Sequence, residues 1–231
     1  MKTLIITGAS AGIGLATARR FADAGYAVTN ISRRPCPLPS VNHLPGDLSN
    51  AGFLDTLGDR LSEALAGADA VSLIHNASRL LNDSAADTSS DQLRAVMEVN
   101  LAAPNTLNRF VIPRMPSGSS ILYLGSTLAE KAVPNSFSYV VTKHALVGMM
   151  RATCQDLAGR GIHTACICPG FTDTEMLRAH VPEEAMDAVR GLSAYGRLIE
   201  PSEIADALHW AAENPIINGA VLHANLGQVE R

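Results

Sequence analysis

The sequence predicts an α/β protein: a doubly wound, Rossmann-type parallel sheet of seven strands with helices on both faces. Short, near-continuous apolar runs such as Ala70-Val-Ser-Leu-Ile74 alternate with longer helical stretches along the whole chain. A strand that is apolar throughout suits burial under helices on both sides, and strand–helix alternation argues for a parallel sheet. In addition, the first apolar run leads directly into a glycine-rich turn and a helix start. That is the context in which backbone N–H groups and a helix N-terminus hold a pyrophosphate.

Taken in order, Lys2–Thr7 reads as a short buried strand, and Gly8-Ala-Ser-Ala-Gly12-Ile-Gly14 follows as the turn. Leu15, Ala16, Ala18 and Arg19 then open a helix over 12–24. A second strand over 26–31 ends at Ser32-Arg33-Arg34, and the proline-rich Arg34–Pro39 stands where a helix would otherwise be expected. A third strand, 41–45, precedes Asp47-Leu48 and a helix over 50–65; a fourth, 70–75, ends at Asn76-Ala77. A long helix is expected over about 89–114, a strand over 119–124, a helix over 137–159 and a strand over 162–168. The segment Glu175–Arg197 suits one or two short helices, followed by a helix over 201–213 and a last strand over 220–223. No internal repeat or long linker divides the chain, so residues 1–231 are read as one domain.

Composition narrows the function classes. Hydrophobic residues make up 47% and aromatics 4% of the 231 residues, as expected for aliphatic strands and alanine-rich helices. A formal net charge of −4 offers nothing to attract nucleic acid or an anionic membrane. No apolar run approaches the roughly 18 residues of a membrane helix, and the N-terminal strand is too short for a signal segment. A cytoplasmic protein is the expectation. Cysteines 36, 154, 166 and 168 have no metal-ligand spacing, so no metal is expected, and Cys166-Ile-Cys168 reads as a same-face pair of reduced core thiols.

Chemistry concentrates at Tyr139-Val-Val-Thr-Lys143, thirteen residues beyond Ser126. Helical positions four apart share a face. The Tyr139 phenol and Lys143 ammonium are therefore expected in one site, the cation favouring loss of the phenol proton. The Ser126 hydroxyl can hold a substrate oxygen beside them. Taken singly, each has a plainer reading: a buried tyrosine, a solvated lysine, a strand-end serine, and a glycine turn that only lets a helix pack on the sheet.

In order and spacing, Thr7-Gly-Ala-Ser-Ala-Gly-Ile-Gly14, Asn76-Ala77, Asn100, Ser126, Tyr139-x-x-x-Lys143 and Pro169-Gly170 resemble the short-chain dehydrogenase/reductases, over nearly the whole chain. The resemblance implies Tyr139 as general acid or base, Lys143 bound to the nicotinamide ribose, Ser126 on the carbonyl, and Asn100 bending its helix to position a water beside the lysine. It places Gly8, Ser10, Gly12, Ile13 and Gly14 at the pyrophosphate, and Asp47 and Leu48 at the adenine. Asn76 and Ala77 would lie by the adenosine ribose. Pro169, Gly170, Thr172 and Thr174 would hold the nicotinamide end, and 175–197 would be a substrate lid. Asp47, Ser49 and Asn50 also suit a helix cap, as do Thr172, Asp173 and Thr174. The chain departs from the family at Ser78, where glycine is usual, at Thr172, where a bulky aliphatic is usual, and at Asn225-Leu226-Gly227.

Ser32 stands where an acid would bind the adenosine ribose, and Arg33 and Arg34 follow it. A guanidinium–phosphate contact contributes about 1.5–3 kcal/mol, roughly 10- to 150-fold in affinity. The expected cofactor is therefore NADP(H), although an Arg-Arg pair also suits a solvated loop. The helix 137–159 is apolar on more than one face, in keeping with the homodimer or homotetramer usual in the family. The expected reaction is carbonyl–alcohol interconversion on a small, mainly apolar substrate or a 3-oxoacyl thioester. A dinucleotide-binding sensor without turnover is the alternative, and it has no need of Ser126, Tyr139 and Lys143 together.

Overall fold

A computed structural model describes residues 1–228. It contains seven parallel strands: β1 Lys2–Thr7, β2 Ala27–Ser32, β3 Val41–Pro45, β4 Ala70–His75, β5 Ser120–Leu124, β6 His163–Pro169 and β7 Ala220–Ala224. Their order is β3-β2-β1-β4-β5-β6-β7. The chain thus winds outward from β1 in one direction and from β4 in the other. The carboxyl ends of β1 and β4 form the switch point, where open sheets of this kind leave a crevice. Thr3–Thr7 lie level with Ala27–Ile31, and Lys2–Ile6 with Ala70–Ile74, so the three strand ends that matter most are held in fixed register.

The helices are α1 Gly12–Asp23, α2 Phe53–Leu65, α3 Ser90–Met97, α4 Ala103–Val111, α5 Phe137–Asp156, α6 Glu175–His180, α7 Met186–Arg190 and α8 Pro201–Glu213. They cover two cores, one on each face of the sheet. Leu4, Ile6, Phe21, Ile74, Leu122, Ile204 and Leu208 fill the side under α1 and α8. Ile5, Leu57, Leu73, Leu107, Tyr123, Leu146 and Met150 fill the side under α2, α4 and α5. Successive residues of β1 alternate between the two cores, which is why these strands read as unbroken apolar runs.

Two helices differ from expectation. α2 begins at Phe53 rather than residue 50, because Asp47 and Asn50 are used in local turns. Asp47 Oδ1 accepts from the Ser49 N–H and hydroxyl, and Asn50 Oδ1 accepts from the Gly52 N–H. The helix expected over 89–114 is interrupted by a π turn at Glu98–Ala102 and tightens to a 3₁₀ turn at Ile112–Arg114. Pro104 has no N–H to return to the carbonyl four residues back, which is that of Asn100.

The core on the α5 side carries a polar network. His75 Nε2 donates to Asn108 Oδ1 at 2.8 Å, and Asn108 Nδ2 donates to the Tyr123 hydroxyl at 2.7 Å. The His75 ring packs on Tyr123 with centroids 4.9 Å apart. Burial pushes the His75 pKa down to about 4, partly offset by the Asn108 bond, so the ring is neutral at pH 7. His75 is thus a packed strand residue. Cys166 and Cys168 are buried free thiols on the same face, with Sγ atoms 3.8 Å apart.

Candidate active site

The glycine turn is built so tightly that side chains are excluded. Gly8 and Gly12 have φ of 74° and 53°, in the left-handed region that favours glycine. A Cβ on Gly14 would lie 2.3 Å from the Gly8 carbonyl oxygen. Asn76 Nδ2 donates to the carbonyls of Thr7 (2.8 Å) and Gly8 (3.1 Å), while the Asn76 and Ala77 N–H groups both donate to Thr7 Oγ1. On the other side Ala9 N–H donates to Asn30 Oδ1 at 2.9 Å, and Asn30 Nδ2 donates to Ser32 Oγ at 2.7 Å. Thr7 and Asn30 were not among the expected site residues. Their signal in the sequence is a polar side chain inside an otherwise apolar strand.

The N-cap of α1, Ala11, makes no side-chain cap bond, and the first turn carries no acidic residue. Its first-turn N–H groups therefore lack a side-chain cap, beside half-buried Ser10 and Ile13, at the positive end of the helix dipole. Thr174 stands over the turn: a Cβ on Gly12 would meet its methyl at 3.2 Å. Thr174 Oγ1 also caps α6 by accepting from the Leu177 N–H. Thr172 is buried, donates to the Gly170 carbonyl and bridges to Ile199, so it holds the loop after Pro169 rather than capping a helix.

Beyond β2, Ser32 is buried and its hydroxyl donates to the Arg34 carbonyl at 2.5 Å, turning the two arginines outward. Arg34 pairs with Glu175 at the start of α6, 3.3 Å away. Ser49's N–H and hydroxyl hold the Asp47 carboxyl below its ordinary range, with a smaller contribution from the charge of Arg33. Leu48 is buried beside it.

At the carboxyl end of β5, α5 presents Tyr139 and Lys143 on one face, the Lys143 Nζ 5.2 Å from the centre of the Tyr139 ring. Lys143 is buried, and its ammonium donates to the Leu124 carbonyl at 2.7 Å. Ser126 follows Leu124 by two residues, with its hydroxyl accepting from the Leu128 N–H at 3.1 Å. A Cβ on the intervening Gly125 would lie 2.6 and 2.7 Å from the sulfurs of Cys168 and Cys166, so the strand end carrying Ser126 rests directly on the thiol pair. The Cys168 bond and burial push the Cys166 thiol up.

Asn100 sits in the π turn and reaches toward α5. Its Oδ1 accepts from the Arg79 N–H (2.7 Å), and its Nδ2 donates to the Arg79 carbonyl (2.9 Å) and to Thr142 Oγ1 (2.9 Å). Thr142 in turn donates to the Tyr139 carbonyl. The segment over 175–197 comprises α6, a 3₁₀ turn and α7, with Tyr195 exposed. Among the described residues no His/Cys/Asp/Glu group could hold a metal, and no helix is long and apolar enough to cross a membrane.

Residues 8–228 match the family profile described as enoyl-(acyl carrier protein) reductase. The chain is 29% identical to protein FixR of Bradyrhizobium diazoefficiens, over 98% of the chain and 86% of that protein. It is 26% identical to the 3-oxoacyl-[acyl-carrier-protein] reductase FabG of Vibrio cholerae, over 98% and 96%. A 3-oxoacyl (acyl-carrier-protein) reductase from Agrobacterium tumefaciens with NADP bound superposes with a TM-score of 0.85 at 27% identity, covering 98% of this chain and 93% of that one. With this profile, these relatives and the seven-stranded sheet, the chain belongs to the short-chain dehydrogenase/reductases, nucleotide-binding oxidoreductases that act on carbonyl and alcohol groups.

Proposed function

We propose that the chain is an NADP(H)-dependent reductase of a small, mainly apolar ketone or aldehyde, or of a 3-oxoacyl thioester. The observation that carries this reading is the stacked geometry of Tyr139 and buried Lys143 on one helix face, at the carboxyl edge of the sheet that also bears a glycine turn with no room for a Cβ at its glycines. A turn of three glycines before an uncapped, acid-free helix N-terminus fits a pyrophosphate. When bound, the dinucleotide supplies or accepts the hydride.

In this reading Tyr139 gives its phenolic proton to the carbonyl oxygen, or takes it back in the reverse direction. The ammonium of Lys143, buried and 5.2 Å from the centre of the Tyr139 ring, offsets the charge left on the oxygen when the proton is given up. Ser126 holds the substrate oxygen. Asn100 fixes α5 through Thr142 and keeps Tyr139 level with that oxygen. Arg33 and Arg34 bind the adenosine 2′-phosphate, Asp47 and Leu48 the adenine, and Asn76 and Ala77 the adenosine ribose. Pro169, Gly170, Thr172 and Thr174 hold the nicotinamide end. The 175–197 segment closes over the substrate as a lid, within a single domain of residues 1–231.

Val141 on α5, Trp210 on α8 and Ile216 in the turn before β7 are large apolar side chains exposed in the single chain. They support a homodimer or homotetramer. Four free cysteines suit a reducing compartment such as the cytoplasm.

The test is NADPH oxidation against a panel of ketones, aldehydes and 3-oxoacyl thioesters, with Tyr139→Phe alongside. Turnover of at least one carbonyl that falls by three orders of magnitude or so in the variant supports the assignment. Equal turnover in the two proteins removes Tyr139 from the chemistry, and tight NADPH binding with no turnover at all favours the sensor.

A further inference from the structure

We propose that Asp83 is a positioning residue for Tyr139, clasping the first turn of α5 from outside the helix. This rests on the assignment of Tyr139 above and adds the group that fixes where its phenol stands.

The first N–H groups of a helix have no partner within it. The N-cap of α5, Ser136, makes no side-chain cap bond. Asp83, from the loop after β4, fills that role across the chain. Its backbone carbonyl accepts from the Phe137 N–H at 3.2 Å, and its Oδ1 accepts from the Ser138 N–H at 3.1 Å. Its own N–H donates to the Asn135 carbonyl at 3.2 Å, completing a parallel bridge between Asp83 and Ser136. One residue thus engages Asn135, Phe137 and Ser138 together, and the next residue is Tyr139. The carboxylate also lies at the positive end of the helix dipole.

Two further features mark the contact. Asn135 takes φ 60°, the left-handed conformation that asparagine tolerates better than most non-glycine residues, which turns the chain into the bridge. Asp83 Oδ2 and Ser138 Oγ are buried without a hydrogen-bond partner in the protein, where a surface cap would leave both in water. Buried polar atoms left unpaired call for an explanation, and a site that needs a particular geometry supplies one. On the far side of Tyr139, its carbonyl accepts from Thr142, which accepts from Asn100. The turn carrying the phenol is therefore gripped before and after by side chains from two other segments.

The experiment compares wild type, Asp83→Ala, Asp83→Asn and Tyr139→Phe in steady-state carbonyl reduction, with NADPH titration by fluorescence and thermal unfolding of each. Misplacement of a reacting group by about 1 Å can cost on the order of 100-fold. Asp83→Ala is expected to lower kcat by about 10- to 100-fold while NADPH affinity stays within about twofold. Asp83→Asn keeps an oxygen acceptor for Ser138 and is expected to recover most of kcat. Wild-type kcat in folded Asp83→Ala, or equal loss in the Asn and Ala variants, overturns the proposal. Should Asp83→Ala fail to fold, Asp83→Glu is read instead: it keeps the charge but shifts the acceptor by one methylene, and an unchanged kcat there has the same force. A fully active Tyr139→Phe rejects the underlying assignment; an inactive one beside a fully active Asp83→Ala rejects the clasp alone.

Discussion

Asn76 and Gly14 approach so closely that no side-chain carbon fits between them: a Cβ on Gly14 would stand 2.5 Å from Asn76 Nδ2. That amide nitrogen is itself committed to the carbonyls of Thr7 and Gly8. The end of β4 and the start of α1 are thereby stapled through the glycine turn, at the place where the sheet changes winding direction.

Gly14→Ala is accordingly expected to displace the staple or the turn. Overpacking of this kind costs about 1–3 kcal/mol, and the displaced N–H groups are those that would meet a pyrophosphate. Thermal unfolding should report the destabilisation, and NADPH titration an affinity loss of about tenfold or more. Unchanged affinity in a folded variant would mean the cofactor does not use this turn.

The two arginines after β2 should not be equivalent. Arg34 is shared with Glu175, an exposed pair of the kind that contributes roughly 0–1 kcal/mol, whereas Arg33 faces Asp47 at longer range. Arg33→Ala is expected to weaken NADPH by about 10-fold or more, Arg34→Ala by less, and neither to change NADH appreciably. Parallel titrations with both nucleotides check this; equal losses for NADPH and NADH would overturn the 2′-phosphate assignment.

Asn100→Ala removes a donor and an acceptor that serve Arg79 and Thr142. Leaving these partly buried backbone groups unpaired costs up to about 1–3 kcal/mol. Denaturant unfolding should show that loss, and kcat should fall with it because Thr142 no longer holds the Tyr139 turn. Full activity in the variant would separate the π turn from the chemistry.

Acid should destabilise the protein through His75. Its pKa is lowered from 6.5 to about 4 in the folded state, so the unfolded chain takes up the proton first as pH falls. The stability it contributes is fully present above pH 6.5 and is lost progressively toward pH 4, in total on the order of 3 kcal/mol. Protonation would also add a second N–H at Nδ1, which is buried without an acceptor. Urea unfolding between pH 4 and 7 should show this slope in wild type and a shallower one in His75→Gln. Identical slopes would assign the acid sensitivity elsewhere.

Much of the molecule was legible in the chain itself. Strand and helix order followed from apolar periodicity, the glycine turn from three glycines between a strand and a helix, and the Tyr139–Lys143 pairing from a four-residue helical step. All are local relations, governed by backbone geometry over a few residues. The break at Glu98–Ala102 was not visible in apolar periodicity, and only the family resemblance implied a bend at Asn100; the start of α2 was missed because Asp47 and Asn50 satisfy turns instead of the helix.

Only the folded structure decided which polar groups hold these pieces together. Asn30 meets Ala9, Asn76 meets Thr7, Asp83 meets Ser138, and Asn100 meets Arg79 and Thr142. Each pair is separated by 21 to 69 residues, and no spacing rule relates such positions. Their hydrogen bonds exist because the fold brings distant strand ends, loops and helices side by side, where a buried polar group left unpaired is costly.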